Sequence, residues 1–146
     1  MAKSWLWPGL KKTARLCGLD MLQFHGKESP GYCREFKGYK VIKAFRIGRE
    51  EDLDCVSKYG TFAYLFDSFS KTAQGGTGNK FNWKILAQAV KIKPVVFISG
   101  GLTCNNVSSA IKLLRPDWVD LSSSLESEPG KKDHNKIKKF IQSIKA

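Results

Sequence analysis

The chain has 146 residues, 42% of them hydrophobic, which suits one globular domain with a buried core and excludes a disordered or fibrous chain. Twenty-five Lys and Arg against thirteen Asp and Glu give a net charge of +12, which favours an anionic partner without choosing among nucleic acid, a membrane surface and a phosphorylated metabolite. No apolar run approaches the ~18 residues of a membrane-spanning helix, and the start, MAKSWLWPGLKK, lacks the features of a secretory signal, so a cytoplasmic protein with no membrane partner is expected.

Residues 1–8, with Trp5 and Trp7 flanking Leu6 and Pro8 following, show no period and read as an unanchored start. Residues 10–17 have helical composition with Gly18 as a stop, and 21–24 form a short strand ending at His25-Gly26. Ser29-Pro30 opens a helix that continues through 32–36, and 41–45 make the next strand, ending at Arg46. Residues 50–59, EEDLDCVSKY, read as a helix with acids in its first turn and Gly60 as its end. The apolar, aromatic run 62–66 is a buried strand, so Asp67 stands at its C-terminal end. After it come a glycine loop with Gly75, Gly76 and Gly78 and a helix over 83–90 that Asn82 can cap.

Pro94 leads into a strand over 95–98 and then Ser99-Gly100-Gly101. Asn105 or Asn106 can cap a helix to residue 114, Arg115-Pro116 stops it, and a strand over 118–121 leads into Ser122-Ser123-Ser124. The last helix covers about 133–144, where lysines interleave with Ile137, Phe140, Ile141 and Ile144 at helical spacing. That is a solvated basic face, and with no aromatic-basic motif beside it no nucleic-acid partner is expected. Cys17, Cys33, Cys55 and Cys104 form no C-x-x-C pair; they suggest neither a zinc site nor a disulfide framework and read as reduced packing thiols.

Five strands, each followed by a helix, make a repeating βα unit, an α/β fold with a parallel sheet. An open doubly wound sheet would carry a phosphate loop after an early strand, as G-x-G-x-x-G or a Walker sequence, and neither occurs. The small-residue loops instead follow the last two strands, at Gly100-Gly101 and at Ser122, Ser123 and Ser124, where (β/α)8 barrels bind phosphate. A carboxylate at a strand end beneath a glycine loop, opposite an anion site, makes Asp67 a candidate for chemistry.

The runs LQFHGKESPGYCREF, VIKAFR, LFDSFS, QGGTGNKFNW, FISGGLTCNNV and VDLSSSLESEPGKKD, in this order, closely resemble the phosphoribosylanthranilate isomerase family of tryptophan biosynthesis, from about residue 10 to the C-terminus. The resemblance implies a (β/α)8 TIM barrel, of which about five βα units are present here and the first three strands have no counterpart. The whole of 1–146 is then one partial barrel domain, with 1–9 a non-homologous start. It also implies the Amadori rearrangement of N-(5-phosphoribosyl)anthranilate to 1-(2-carboxyphenylamino)-1-deoxyribulose 5-phosphate, with a small phosphorylated substrate and no metal or organic cofactor. Asp67 corresponds to the general acid, Gly75, Gly76 and Gly78 to the loop beside it, and Gly100, Gly101, Ser122, Ser123 and Ser124 to the phosphate cradle. His25 stands at a strand end on the same side and either bonds within the site or orients a loop. Arg46 pairs with Asp67, attracts a substrate anion or makes a surface ion pair.

The family's catalytic base is a cysteine in a K-x-C-G motif after the first strand. Arg15-Leu16-Cys17-Gly18 is only superficially similar, since its register puts Cys17 at a helix end on the outer layer. Cys104, in a loop near the phosphate site, reads as packing or loop filling. Ser124 replaces the family's usual glycine, which predicts crowding of the phosphate, or strain if the position needs a positive φ. Five strands of a closed barrel leave two unpaired edges, which predicts self-association or a complementing N-terminal fragment, with Trp5, Leu6 and Trp7 available to cover part of the opening. Two functions follow: the isomerase, or a truncated, catalytically inactive remnant that keeps a phosphate-binding site.

Overall fold

In the computed structural model, which describes residues 6–67, 83–92 and 95–145, five strands join into one parallel sheet in chain order. They are β1 (Met21–Phe24), β2 (Lys40–Arg46), β3 (Ala63–Asp67), β4 (Val96–Ser99) and β5 (Trp118–Val119). The helices are α1 (Leu6–Leu16), α2 (Pro30–Arg34), α3 (Trp83–Ala89), α4 (Val107–Leu114) and α5 (His134–Lys145). Parallel neighbours cannot be joined by a tight hairpin, and the intervening segments supply the crossovers.

Alternation along the strands separates two faces. Phe45, Tyr64, Phe66, Val96 and Ile98 pack with Ile85, Leu86, Ala110 and Leu114 of α3 and α4 in the larger core. Leu22, Phe24 and Val41 pack with Ala14 of α1, with Cys33 and with Phe36. On the other face Ile42, Ala44, Ala63 and Leu65 cluster with Val95 and Phe97, strand against strand. That inner face is buried at its centre and open at its sides, where Met21 is 38% and Trp118 61% exposed. The Trp118 ring stacks on Phe97 with centroids 5.7 Å apart.

Several predicted elements differ from those formed. The helix predicted over 50–59 is two 3-10 turns, Glu50–Leu53 and Val56–Lys58. The Asp52 carboxylate turns back to accept the Gly48 and Arg49 N–H groups at 2.9 and 3.1 Å, a local alternative to helical continuation. Helix α1 starts at Leu6, so the residues read as an unanchored start are partly helical. The expectation that Trp5, Leu6 and Trp7 cover the opening, and the Asn82 cap, lie outside the described residues and side chains. Phe62 is exposed and β3 runs on to Asp67 instead.

Strand β5 stops at Val119, although the Asp120 N–H still reaches Ile98 O at 2.9 Å. After it the chain forms a short antiparallel hairpin, β6 (Glu126–Glu128) with β7 (Lys131–Lys132), that strand periodicity missed. Its signal was Pro129-Gly130: Gly130 has φ +81, as the third residue of a proline-glycine turn needs. Of the cysteines only Cys33 is buried; Cys17 and Cys55 are exposed and Cys104 intermediate, so packing describes one of the four. In α5, Phe140 is buried while Ile141 and Ile144 stay over a third exposed, so its apolar stripe is only partly covered.

Phe66 is fully buried where β3 meets the α3–α4 layer, and its ring lies 6.1 Å from both Phe45 and Tyr64. Phe66→Ala is expected to lower stability by about 3–5 kcal/mol, read as the shift of the urea unfolding midpoint at constant slope.

Candidate active site

The polar residues that end the strands on the inner face form one rim. Inward positions run Met21, Gln23, His25 along β1; Ile42, Ala44, Arg46 along β2; Ala63, Leu65, Asp67 along β3; and Phe97, Ser99 along β4. The register aligns Arg46 with Asp67 and Asp67 with Ser99 across neighbouring strands. Ser99 in turn donates its hydroxyl to the Asp120 carboxylate at 3.1 Å. Asp67 is 15% exposed, shielded from bulk water yet reachable, and its Oδ2 lies 3.4 Å from His25 Nε2.

Arg46 is exposed at the end of β2, and with His25 it lines a cleft of about 630 Å³ with Lys43, Asp52, Cys55 and Tyr59. This cleft sits at the C-terminal ends of β1 and β2, where parallel βα folds place ligands. The glycines Gly75, Gly76 and Gly78 fall outside the described residues.

The two small-residue loops differ in backbone. Gly100 and Gly101 have φ +81 and +62, conformations that side chains disfavour. Asn106 occupies the N-cap position of α4 without capping it. Its side chain braces the glycine loop, donating to Gly101 O at 2.9 Å and accepting the Thr103 N–H at 2.8 Å. Ser123 and Ser124 open a 3-10 turn, Ser123–Leu125, whose leading N–H groups have no acceptor within the turn. Ser124 has no positive φ, since Arg115 is the one such non-glycine among the described residues; the strain expected for serine there is absent.

Sequence reasoning missed Lys132, Glu126, Lys43, Glu28 and Asp120, which lie at or behind this rim. Lys132 Nζ donates to Ser122 O and Oγ at 3.0 and 3.1 Å and to Glu126 at 2.6 Å, tying the hairpin to the serine loop. The Lys132 hydrogen bond, then that of the Gly130 N–H, holds the Glu126 carboxyl below its ordinary range. Lys43 is 2% exposed and pairs with Glu28 at 3.1 Å. A lysine inside the apolar strand VIKAF was the visible signal for it. Asp120 follows β5 as Asp67 closes β3, but the strand was too short to show that parity. No group of three or more His, Cys, Asp and Glu among the described residues could hold a metal ion, and no helix there is long and apolar enough to cross a membrane.

The sequence model of the N-(5'phosphoribosyl)anthranilate (PRA) isomerase family matches residues 9–143. An N-(5'-phosphoribosyl)anthranilate isomerase of Pelobacter propionicus is 44% identical over 136 residues, covering 93% of this chain and 64% of the relative. The chain thus spans just under two thirds of that relative's length. The crystal structure of phosphoribosyl anthranilate isomerase from Thermotoga maritima superposes with a TM-score of 0.84 at 36% identity, over 94% of this chain and 67% of that one. A second isomerase structure, solved with reduced 1-(o-carboxyphenylamino)-1-deoxyribulose 5-phosphate, gives 0.80 at 34% identity, over 94% and 66%. The parallel α/β fold is therefore similar to TIM-barrel isomerase structures.

Partial burial pushes the Glu28 carboxyl up, but its own N–H, the Lys43 hydrogen bond and charge, and the Gly26 N–H outweigh that and leave it below its ordinary value of 4.5. A carboxyl lowered in the folded state contributes stability that is full above its unfolded value and lost as pH falls through the folded one. The stability difference between the native chain and Glu28→Gln is therefore expected to be larger at about pH 6 than at about pH 3, measured by urea unfolding at both.

Proposed function

The chain belongs to the N-(5'-phosphoribosyl)anthranilate isomerase family, and on that premise we propose that it acts as an isomerase of tryptophan biosynthesis. The substrate is N-(5-phosphoribosyl)anthranilate and the product 1-(2-carboxyphenylamino)-1-deoxyribulose 5-phosphate. The single observation that supports this most is Asp67: a shielded carboxylate at the end of β3, touching His25 and facing loops built for an anion. In the protonated form it gives its proton to the furanose ring oxygen; the C1′–O bond breaks and the anilino nitrogen's lone pair forms the Schiff base. Loss of the C2′ proton then leads to the enamine and the ketose. We assign the acid alone and no base.

Gly100, Gly101, Ser122, Ser123 and Ser124 are proposed to hold the phosphate through backbone N–H groups, and Gly75, Gly76 and Gly78 to lie beside Asp67. The phosphorylated ligand of the related structure supports a phosphorylated substrate. Arg46, level with Asp67 on the rim, is proposed to attract the substrate's carboxylate. No cofactor is invoked. A remnant that merely binds phosphate is the reading the named relatives do not favour.

The chain is further read as one domain over 1–146, about five βα units of a (β/α)8 barrel, with a cytoplasmic location. The family match beginning at residue 9 supports the first residues as a start outside the shared part.

Expression in a tryptophan auxotroph that lacks this isomerase tests the activity. Growth with the native chain and none with Asp67→Ala is expected; equal growth of both would remove Asp67 as the acid, and growth of neither would overturn the isomerase activity.

The edges of the sheet, β1 and β5, have no further strand beside them among the described residues, and Met21 and Trp118 expose apolar surface there. We propose that these edges are covered by a second copy of the chain or by a complementing N-terminal segment. Sedimentation equilibrium of the isolated chain is expected to give a mass above 16.4 kDa, falling to that value in denaturant; a stable monomer with cooperative unfolding would refute the association.

A further inference from the structure

Lys43 is an ammonium buried in the middle of β2, its side chain on the strand face opposite Ala44 and Arg46. A buried charge is tolerated only when its donors are satisfied, and the direction of those donors shows what it holds. Four oxygens surround Nζ: Phe24 O at 3.3 Å, Gly26 O at 2.8 Å, Ala44 O at 3.0 Å and Glu28 Oε2 at 3.1 Å. The carbonyls of Phe24 and Gly26 flank His25. The same Glu28 oxygen accepts the Gly26 N–H at 2.9 Å, and the Tyr59 hydroxyl donates to Glu28 O at 2.9 Å. The ammonium also lies 5.6 Å from the Phe45 ring centroid and 5.9 Å from that of Tyr59. A charge kept only for strand stability has no need of acceptors on both sides of one turn residue.

We propose that Lys43, with Glu28, is a positioning residue that fixes the turn carrying His25 and so holds the imidazole against Asp67. This rests on Asp67 as the acid: His25 sets the direction of the carboxyl, and Lys43 sets His25 from behind the strand. Gly26 belongs to the device. A Cβ there would come within 2.8 Å of Glu28 Oε1, so a side chain at this position requires the carboxylate beside Lys43 and the Gly26 N–H to shift.

The test reads His25 directly and does not need turnover. The sequence holds two histidines, His25 and His134, so each Cε1–H resonance of the native chain is assignable and His134 serves as an internal control. Asp67→Asn is expected to move the His25 resonance in the native background. In Lys43→Met and in Gly26→Ala that response is expected to fall to about a third or less, with His134 and the β4 amides unmoved. An undiminished response in the variants would overturn the proposal, as would a change spread over His134 and β4, which marks general loosening. If Lys43→Met fails to fold, Gly26→Ala, which keeps the ammonium, decides alone. Where the native chain turns over substrate, kcat is expected to fall on the order of ten- to a hundredfold in Lys43→Met with KM held within about twofold. Absence of turnover in the native chain counts against the isomerase and leaves the resonance to judge Lys43.

Discussion

The register of the parallel strands is the constraint on which the site depends. Side chains alternate with a period of two, so pairing Arg46 with Asp67 and Asp67 with Ser99 brings the last inward residues of three strands to one level. A slip of one residue in β3 would send Asp67 toward the helices and Phe66 into the inner face. The two faces oppose that slip by size. On β2 and β3 the inward residues are small or aliphatic, Ala44, Ala63, Leu65 and Ile42, whereas the outward ones are Phe45, Tyr64 and Phe66 under α3 and α4. Overpacking typically costs about 1–3 kcal/mol, so placing Phe66 where Ala63 and Ala44 pack favours the observed register, and the hydrophobic core also fixes where Asp67 stands.

Charge follows the same division. The net +12 is a bulk property that bears on encounter with anions and says little about the site. What bears on an anion is local: two left-handed glycines, the opening turn at Ser123, and Lys132 against Ser122. Glu126 neutralises much of Lys132 at 2.6 Å, so this lysine organises the serine loop more than it adds attraction. In the proposed cradle the backbone N–H groups of these loops would then be the recognition elements.

The sequence made the alternation of strands and helices legible because four of the five strands are apolar runs between turn residues, and Asp67 was legible because it closes the most apolar of them. The family resemblance added roles for the glycine and serine loops. Less was legible where side chains compete with the backbone. Asp52 diverts a helical pattern into 3-10 turns by bonding Gly48 and Arg49, and Asn106 leaves its capping role to hold Gly101. Such choices depend on distances the pattern does not contain. The β6–β7 hairpin, two and three residues a side, was too short for periodicity and was marked only by its proline-glycine turn.

Lys43 was in plain sight as a polar letter in VIKAFR, yet its meaning needed the third dimension. In sequence it lies 18 residues from His25; in the sheet it is registered with Phe24, the residue just before it. Parallel pairing thus puts a donor on the helix face directly behind an acceptor turn whose side chain serves the opposite face. Strand β2 is where the two chemistries meet: Ala44 and Arg46 look toward the rim, Lys43 and Phe45 toward the core, and one backbone rigidly couples them. A site built this way inherits its precision from the core, because moving His25 means either stripping a buried ammonium of its acceptors or shifting a strand held on both sides by ladder hydrogen bonds.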